Sequence, residues 1–288
     1  FERIVAQGLS MTLIALLIAL CIERLYPLPA VWSIDFYMQR WMNWSQAKVN
    51  YFREPSAWTL LLQILLPAAL AWLLFHWLDS GLVQFIGGII VLLLVMNAGP
   101  ERLAYKQLLK TAMRADSAGY QEAAEQLRHY AHLPEGTPVE RAVVWLNFVH
   151  FLAPIFFFVT FGVAGVLAYG CLRSVYRGRA QQSFGDVERD QVERVLWALN
   201  FIPARFAALG AALVGHFSYA LPAVMAMATN TQDDNPELLH HVVEKAEGRS
   251  HHPDDRSDAV THQLNLMKRQ HLFWFVVIAV LTLTGTIV

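Results

Sequence analysis

The feature that most limits the fold of this sequence is a long stretch, from Ala57 to Ala98, that contains no lysine or arginine. Its one formally charged side chain is Asp79, which is followed by Ser80 and Gly81. An α-helix rises 1.5 Å per residue, so about 20 apolar residues cross the hydrocarbon core of a bilayer. The stretch is long enough for two crossings with a turn at Asp79. We therefore predict a hairpin of two transmembrane helices, the first with Pro67 inside it.

Four other apolar blocks extend this pattern along the chain: Met11–Pro27, Val143–Leu172, Leu199–Met227 and Leu272–Val288. Only 16% of the residues are charged, against about 25% in soluble domains, and the mean hydropathy is +0.36. The predicted fold is an all-α integral membrane protein with about 4–5 transmembrane helices, re-entrant or amphipathic helices and cytoplasmic helical segments. Residues 11–288 are predicted to form a single membrane domain. The more polar residues 1–10 are interpreted as a non-native or upstream extension and are set aside.

The block from Val143 to Leu172 is longer than one crossing needs, and Pro154 interrupts it. Two interpretations stay open: one tilted helix, or a re-entrant pair of helices broken at Pro154. Arginine and lysine are frequent in the connections 29–56, 99–142, 173–198 and 228–269, which the positive-inside rule places in the cytoplasm. A single crossing by residues 143–172 would separate two of these connections. The charge distribution therefore favours the re-entrant pair or an additional crossing.

Two polar segments lie between the apolar blocks. Residues 101–142 are predicted to form a polar helical insert, with a break at Asp116-Ser117 and an N-capped second helix. Within this insert Arg102, Lys106, Lys110 and Arg114 recur every four residues, which places them on one ridge of a helix. We expect the ridge to contact phospholipid head groups, or alternatively a phosphate-bearing ligand. Residues 228–268 are predicted to form a mobile polar loop.

No metal, cofactor or catalytic residue is predicted. The histidines His129, His132, His240, His241, His251 and His252 lack the spacing of metal ligands and are interpreted as solvated loop residues. The two cysteines, Cys21 and Cys171, lie in or beside apolar stretches and are interpreted as buried thiols. A net charge of −1 gives no basic field, so nucleic acid is not an expected partner.

Several segments resemble the AmpE family of inner-membrane proteins, which is associated with β-lactamase regulation. They are Met11-Thr12-Leu13, Ile22-Glu23-Arg24-Leu25, Trp145-Leu146-Asn147-Phe148, Ala153-Pro154, Phe201-Ile202-Pro203-Ala204-Arg205 and Gly215-His216. The resemblance covers the chain after residue 10. It implies a multi-pass protein of the bacterial inner membrane, with its larger polar connections in the cytoplasm and a role in signalling.

A more distant similarity is to the CobD and CbiB synthetases of cobalamin biosynthesis. Three local patterns carry it: Ala118–Ala124, Ala153-Pro154-Ile155-Phe156, and Phe184-Gly185 followed by Ile202-Pro203-Ala204-Arg205. The similarity implies a shared fold. This sequence has no carboxylates for Mg²⁺ around Trp145–Val149, Gly170–Ser174 and Leu196-Trp197, where those of the synthetases would be expected. A ligase activity is therefore not favoured.

These resemblances lead to a ligand hypothesis for the polar residues of the apolar blocks. Asn147, His150 and Pro154 share one face of a regular helix and, with Arg205 and His216, are the candidate ligand-binding residues. An arginine fork would suit an anionic ligand derived from the cell wall or resembling a nucleotide. The alternatives are hydrogen bonds between helices for Asn147 and His150, and for Arg205 an anchor that reaches the head groups.

The leading functional hypothesis is a non-enzymatic sensor or signalling modulator linked to cell-wall status and β-lactamase induction. The alternative is a ligase-like or nucleotide-hydrolysing enzyme that uses Asp186, Glu188 or Asp190, and a transporter of wall fragments ranks last. The expected partners are membrane lipids, the anionic ligand, and other proteins or a second copy of this chain.

Overall fold

The computed structural model describes residues 2–26, 28–49, 57–78, 80–181, 186–230, 233–248 and 256–284, and the regular structure within these ranges is helical. The helices are α1 Glu2–Leu25, α2 Ile34–Lys48, α3 Ala57–Leu78, α4 Gly81–Met96, α5 Gly99–Met113, α6 Ser117–Ala131, α7 Val139–Asn147, α8 Ala153–Gln181, α9 Asp186–Val214, α10 Phe217–Thr229, α11 Asn235–Glu247 and α12 Arg256–Leu283. A 3₁₀ turn at Ala30–Trp32 and a π-helical turn at Phe148–Leu152 complete these elements. The all-α prediction is confirmed.

Three stretches of helix are long and apolar enough to cross a membrane: Val139–Gly178, Asp190–Val214 and Val260–Thr282. The pair α4 and α5, bent by 45°, would be a fourth crossing only if the two helices formed one span, and shorter apolar helices cover Leu61–Phe75 and Phe217–Thr229. α9 shows the expected lipid-facing stripe, because exposed apolar residues follow one another every three or four positions. These residues are Val195, Leu199, Ile202, Phe206, Leu209 and Leu213.

The stretch without lysine or arginine forms two helices, α3 and α4, as predicted. The turn residue Asp79 lies outside the described residues. Trp58 and Trp77 are strongly exposed near the two ends of α3. Nineteen residues of helix span about 28 Å, close to the hydrocarbon thickness, and tryptophan prefers the two membrane interfaces. α3 therefore has the aromatic ends of a membrane-embedded helix.

The chain divides into two compact units. The first consists of residues 1–99, 154–196 and 278–288. In it α1 packs on α4 through small residues such as Ala15 and Ala19, which let two helices approach closely. α8 contributes the buried Arg173, whose Nη2 donates to the carbonyl oxygen of Val95 at 2.5 Å. A positive group at the C-terminal end of α4 also stabilises the helix dipole.

The second unit consists of residues 100–153 and 197–277. Its core includes the buried faces of α5, α6 and α7, which share Ala104, Leu108, Ala124, Leu127 and Val143. α5 ends at Met113 and α6 starts after Asp116, whose side chain accepts from the Gly119 N–H at 3.0 Å. A capping carboxylate satisfies a backbone donor that the first turn of a helix leaves open.

The block around Pro154 differs from its prediction. The deviation from α-helix begins before the proline, in the π-helical turn at residues 148–152, and Pro154 is the second residue of α8. The Ala153 N–H donates to the Phe148 carbonyl across the π-helical turn, so the helix continues through this point although Pro154 has no N–H to donate. The kink lies instead at Gly162, with φ 65° and ψ −156°, a conformation that only glycine adopts readily. Pro154 is therefore not the break.

The predicted loop 228–268 is wrong in its secondary structure, since it contains α11 and the beginning of α12. α11 buries Leu239, Val242, Val243 and Ala246 on one side while its charged residues face outward. This apolar stripe was hidden by the many aspartates and histidines around it. The mobility of the segment stays a prediction.

Candidate functional site

The five predicted ligand residues do not line one cavity. Arg205 is engaged by three hydrogen-bond acceptors, His150 faces a glutamate, Asn147 is buried beside the π-helical turn, and Pro154 begins α8. His216 lines a cavity that is described below. The reason for grouping Asn147, His150 and Pro154 also fails, because a π-helical turn does not keep the spacing of an α-helix.

Arg205 forms a clamp between three helices. Its Nη1 donates to the Phe201 carbonyl and to the Asn235 Oδ1, both at 3.0 Å, and its Nη2 donates to the Asn230 carbonyl at 2.6 Å. Its guanidinium lies 3.3 Å from the centre of the Phe201 ring. The residue thus joins α9 to the end of α10 and the start of α11. We call this group, Phe201, Arg205, Asn230 and Asn235, the clamp.

A further hydrogen bond joins the clamp to α9. The Asn235 side chain donates from its Nδ2 to the carbonyl of Trp197 at 3.1 Å, so a polar side chain of α11 binds α9 directly. The side chains of Arg205 and Asn235 therefore have partners inside the protein. This arrangement favours neither an incoming anion nor a head-group anchor at Arg205.

A second closed polar group is the pair Glu101 and His150. The His150 Nε2 lies 3.5 Å from the Glu101 Oε1, and the two side chains are 1% and 6% exposed. Ionisable groups at membrane depth are costly and are normally paired. The guanidinium of Arg102 lies 5.7 Å from the centre of the neighbouring Phe151 ring. This pair is inaccessible from outside, which gives His150 an internal role.

The open polar region is a cavity of about 290 Å³ in the second unit. It lies where α9 ends, α10 begins, α11 ends and α12 begins. We call it the four-helix cavity. Its lining residues are Val214, Gly215, His216, Ala246, Glu247, His262, Asn265, Leu266 and Arg269. The volume is close to the lower end of the range for small-molecule sites.

Backbone contacts hold the walls of the four-helix cavity. The His216 N–H donates to the Ala246 carbonyl at 2.6 Å, which joins the turn after α9 to the end of α11. A Cβ atom at residue 215 would collide with that same carbonyl, so glycine is required for the close approach. At the other end of this contact Gly248 has φ 70°, and a Cβ there would strike the His216 ring. The Arg269 Nη2 donates to the Val214 carbonyl at 2.9 Å and thereby caps α9.

The lining of the cavity combines both signs of charge. Arg269 is positive at all ordinary pH values, and His216 and His262 donate hydrogen bonds to anions when protonated. Glu247 supplies a carboxylate on the α11 side, and Asn265 can donate and accept. Such a set recognises a ligand that carries a carboxylate or phosphate together with an ammonium or hydroxyl group. Arg269 and His216 are exposed, so the ligand would have direct access.

Sequence reasoning missed most of this site. The sequence pattern alone assigns no role to Arg269, Glu247, His262 or Asn265. A signal was present, since residues 262, 265 and 269 are spaced three and four apart, as on one face of a helix. The turn at Gly215-His216 supplies the opposite wall.

The predicted basic ridge is shorter than expected. Lys106 and Lys110 are exposed on α5, whereas Arg102 is half-buried against Phe151. Arg114 is exposed but follows the end of α5 at Met113. Two of the four residues therefore form the ridge, with Arg114 beyond its end.

The histidines and acidic residues that the sequence analysis names lie in different parts of the structure. Within the described ranges no three His, Cys, Asp or Glu side chains are grouped closely enough to hold a metal ion. His129 and His132 lie on α6 and at its C-cap, and His251 and His252 lie outside the described residues. The side chains of Asp186 and Glu188 also lie outside them, and Asp190 is exposed. Cys171 is buried as predicted, but Cys21 is exposed.

The prediction of solvated loop histidines is wrong for His240, which lies half-buried on α11. Burial lowers its pKa from 6.5 to about 4; Arg141 and His241 lower this pKa too, and Glu244 opposes the shift. His240 is therefore neutral in the folded protein near pH 7. Its neighbour His241 is exposed.

Comparison with known proteins decides the family. The model of the family described as regulatory signalling modulator protein AmpE matches residues 11–288. The chain belongs to the AmpE family. A curated relative, Protein AmpE of Shigella flexneri, is 28% identical over 295 residues, which cover 96% of this chain and 100% of that protein. No solved structure matches the chain.

Two of the AmpE-like segments have a clear place in the structure. Residues 201–205 carry the clamp, and Gly215-His216 form a wall of the four-helix cavity. The first segment binds helices together and the second faces open space. Membership of the AmpE family supports a signalling role for the chain, and the four-helix cavity is the candidate site for its signal.

Proposed function

We propose that this AmpE-family protein is an inner-membrane signalling modulator that links cell-wall status to β-lactamase induction by binding a wall-derived ligand in the four-helix cavity. The observation that supports the proposal is the lining of that cavity, which combines Arg269, His216 and Glu247 in one accessible space. Its larger polar connections are assigned to the cytoplasm by their arginine and lysine content.

The mixed charge of the lining favours one of the two expected ligand classes. A nucleotide would present phosphates to Arg269 and the histidines but would place negative charge near Glu247 as well. A muramyl peptide carries a carboxylate for Arg269 together with amide and hydroxyl donors for Glu247. We therefore assign the ligand to the wall-peptide class. Binding would act on α11, because its last residues form part of the wall and its first residues belong to the clamp.

In this proposal the chain is a non-catalytic relative of the cobalamin synthetases. The local patterns shared with them support a common scaffold, and the Mg²⁺ carboxylates expected in the synthetases are missing from this sequence. The scaffold would then retain a ligand-binding site but not the catalytic metal ligands.

The test is a thermal-shift titration of the purified protein in detergent with muramyl dipeptide. At ten times the dissociation constant a ligand stabilises the folded state by about 1.4 kcal/mol. Wild-type protein and a control with Lys245→Ala, at an exposed lysine of α11 outside the lining, should show the shift, and Arg269→Ala should lose it. In cells, Arg269→Ala should change β-lactamase induction and Lys245→Ala should not. Equal shifts in both variants, or Mg²⁺-dependent ATP turnover by the wild type, would contradict the proposal.

A further inference from the structure

One face of α5 is unusual because it combines exposed apolar side chains with unpaired positive charge. Leu103 is 68% exposed and Met113 is 88% exposed, and Lys106 and Lys110 lie between them on the same side. The opposite side of α5 carries Ala104 and Leu108 into the core of the second unit. We call Leu103, Lys106, Lys110, Met113 and the adjoining Arg114 the α5 outer face.

The positive charges of this face have no partner within the part of the chain that the structure describes: no ion pair there involves Lys106, Lys110 or Arg114. Lysines four residues apart on a helix repel each other and destabilise it. An anionic surface would remove this repulsion and attract each basic residue near it.

The neighbouring helix α6 differs from α5 in the side chains that it exposes. Its outward side is polar, with Gln121, Glu122, Glu125 and Gln126 exposed. Glu125 forms an ion pair with Arg128 at 2.5 Å, so its charge is already compensated within α6. The hairpin of α5 and α6 therefore has one basic, partly apolar helix and one acidic, wholly polar helix on its outside. The α5 side of the hairpin is therefore the side suited to an anionic surface.

We propose that the α5 outer face docks on anionic phospholipid head groups, so that α5 lies along the membrane surface. Leu103 and Met113 then enter the boundary between head groups and acyl chains, which is the usual position of apolar residues on an interfacial helix. Lys106, Lys110 and Arg114 contact lipid phosphates. Arg102 takes no part, because its guanidinium is packed against Phe151.

Site-directed spin labelling in nanodiscs tests this proposal. Nitroxides are placed at Met113→Cys and at Gln121→Cys in a Cys21→Ser background, since Cys171 is buried. In discs that contain phosphatidylglycerol, the label at 113 should be accessible to oxygen and shielded from a water-soluble nickel chelate. The label at 121 should be accessible to the chelate.

The charge requirement is tested by exchanging the lipid and the lysines. In pure phosphatidylcholine, or with Lys106→Gln and Lys110→Gln, chelate access at 113 should rise at least about twofold, because the electrostatic attraction to the leaflet is lost. Equal chelate access at 113 and 121 in phosphatidylglycerol would overturn the proposal. Shielding at 113 from both reagents would also overturn it, as would shielding that is unchanged by lipid charge and by the lysine substitutions.

Discussion

Arg205 and Arg269 lie in the same unit, and both donate to a backbone carbonyl of α9, but their surroundings differ. Arg205 donates to three acceptors and stacks on an aromatic ring, whereas Arg269 makes one described hydrogen bond and lines the four-helix cavity. Arginine has five N–H donors, so Arg269 keeps most of its binding capacity for a ligand. The comparison shows that an arginine in an apolar block indicates a binding site only when its donors are not already used by the protein.

The strongest test of this difference is to replace Arg205 and Arg269 in turn and to compare the loss of stability. Arg205→Ala would leave the carbonyl of Asn230 and the side chain of Asn235 without their charged donor, and hydrogen bonds to charged groups contribute about 1.5–3 kcal/mol each. We expect the free energy of unfolding to fall by at least about 3 kcal/mol. Arg269→Ala removes one exposed contact and should cost less than about 1 kcal/mol. Unfolding followed by tryptophan fluorescence in detergent measures both; equal losses would refute the distinction between clamp and cavity.

Alanine substitution of two glycines tests whether Gly248 shapes the wall of the four-helix cavity. Gly248 and Gly136 both have positive φ, so alanine at either position carries a backbone cost of about 1 kcal/mol. A Cβ at 248 also strikes the His216 ring, whereas a Cβ at 136 meets nothing within 4 Å. Gly248→Ala should therefore destabilise the protein by about 2 kcal/mol in total, and it should abolish the muramyl dipeptide shift.

Gly136→Ala is the matched control, since it retains the backbone cost without the collision. It should preserve the ligand shift. A ligand shift that survives unchanged in Gly248→Ala would mean that His216 does not take part in the site.

The pH dependence of the free energy of unfolding tests the half-buried position of His240 on α11. The pKa of His240 is lowered to about 4 in the folded protein, so the unfolded chain binds a proton at a higher pH than the folded one. Stability is therefore fully present above about pH 6.5 and decreases as the pH falls toward 4. His240→Asn should reduce this pH dependence by on the order of 1 kcal/mol.

His129→Asn is the control for that measurement, because His129 is exposed on α6 and is not among the groups that shift the pKa of His240. Its variant should keep the pH dependence that His240 contributes. Identical curves for all three proteins would show that His240 does not contribute.

The sequence was sufficient for the class of the fold and for much of its helix pattern. The length of the stretch without lysine or arginine predicted α3 and α4, and the capping signal at Asp116 predicted the start of α6. α11 was missed because the aspartates and histidines in and around it hide its short buried apolar stripe. The candidate ligand residues failed for a different reason. Residue type and spacing do not reveal whether a side chain is already satisfied, and the π-helical turn changed the face on which Asn147 and His150 were expected.

The paired glycines of the four-helix cavity have a consequence for the divergence of specificity within such proteins. The frame of the cavity depends on the close approach of Gly215 to the Ala246 carbonyl and on the positive φ of Gly248, while its chemistry depends on side chains at 216, 247, 262, 265 and 269. A related protein that binds a different ligand can exchange these side chains one at a time. It cannot enlarge Gly215 without moving the end of α11 that forms the facing wall.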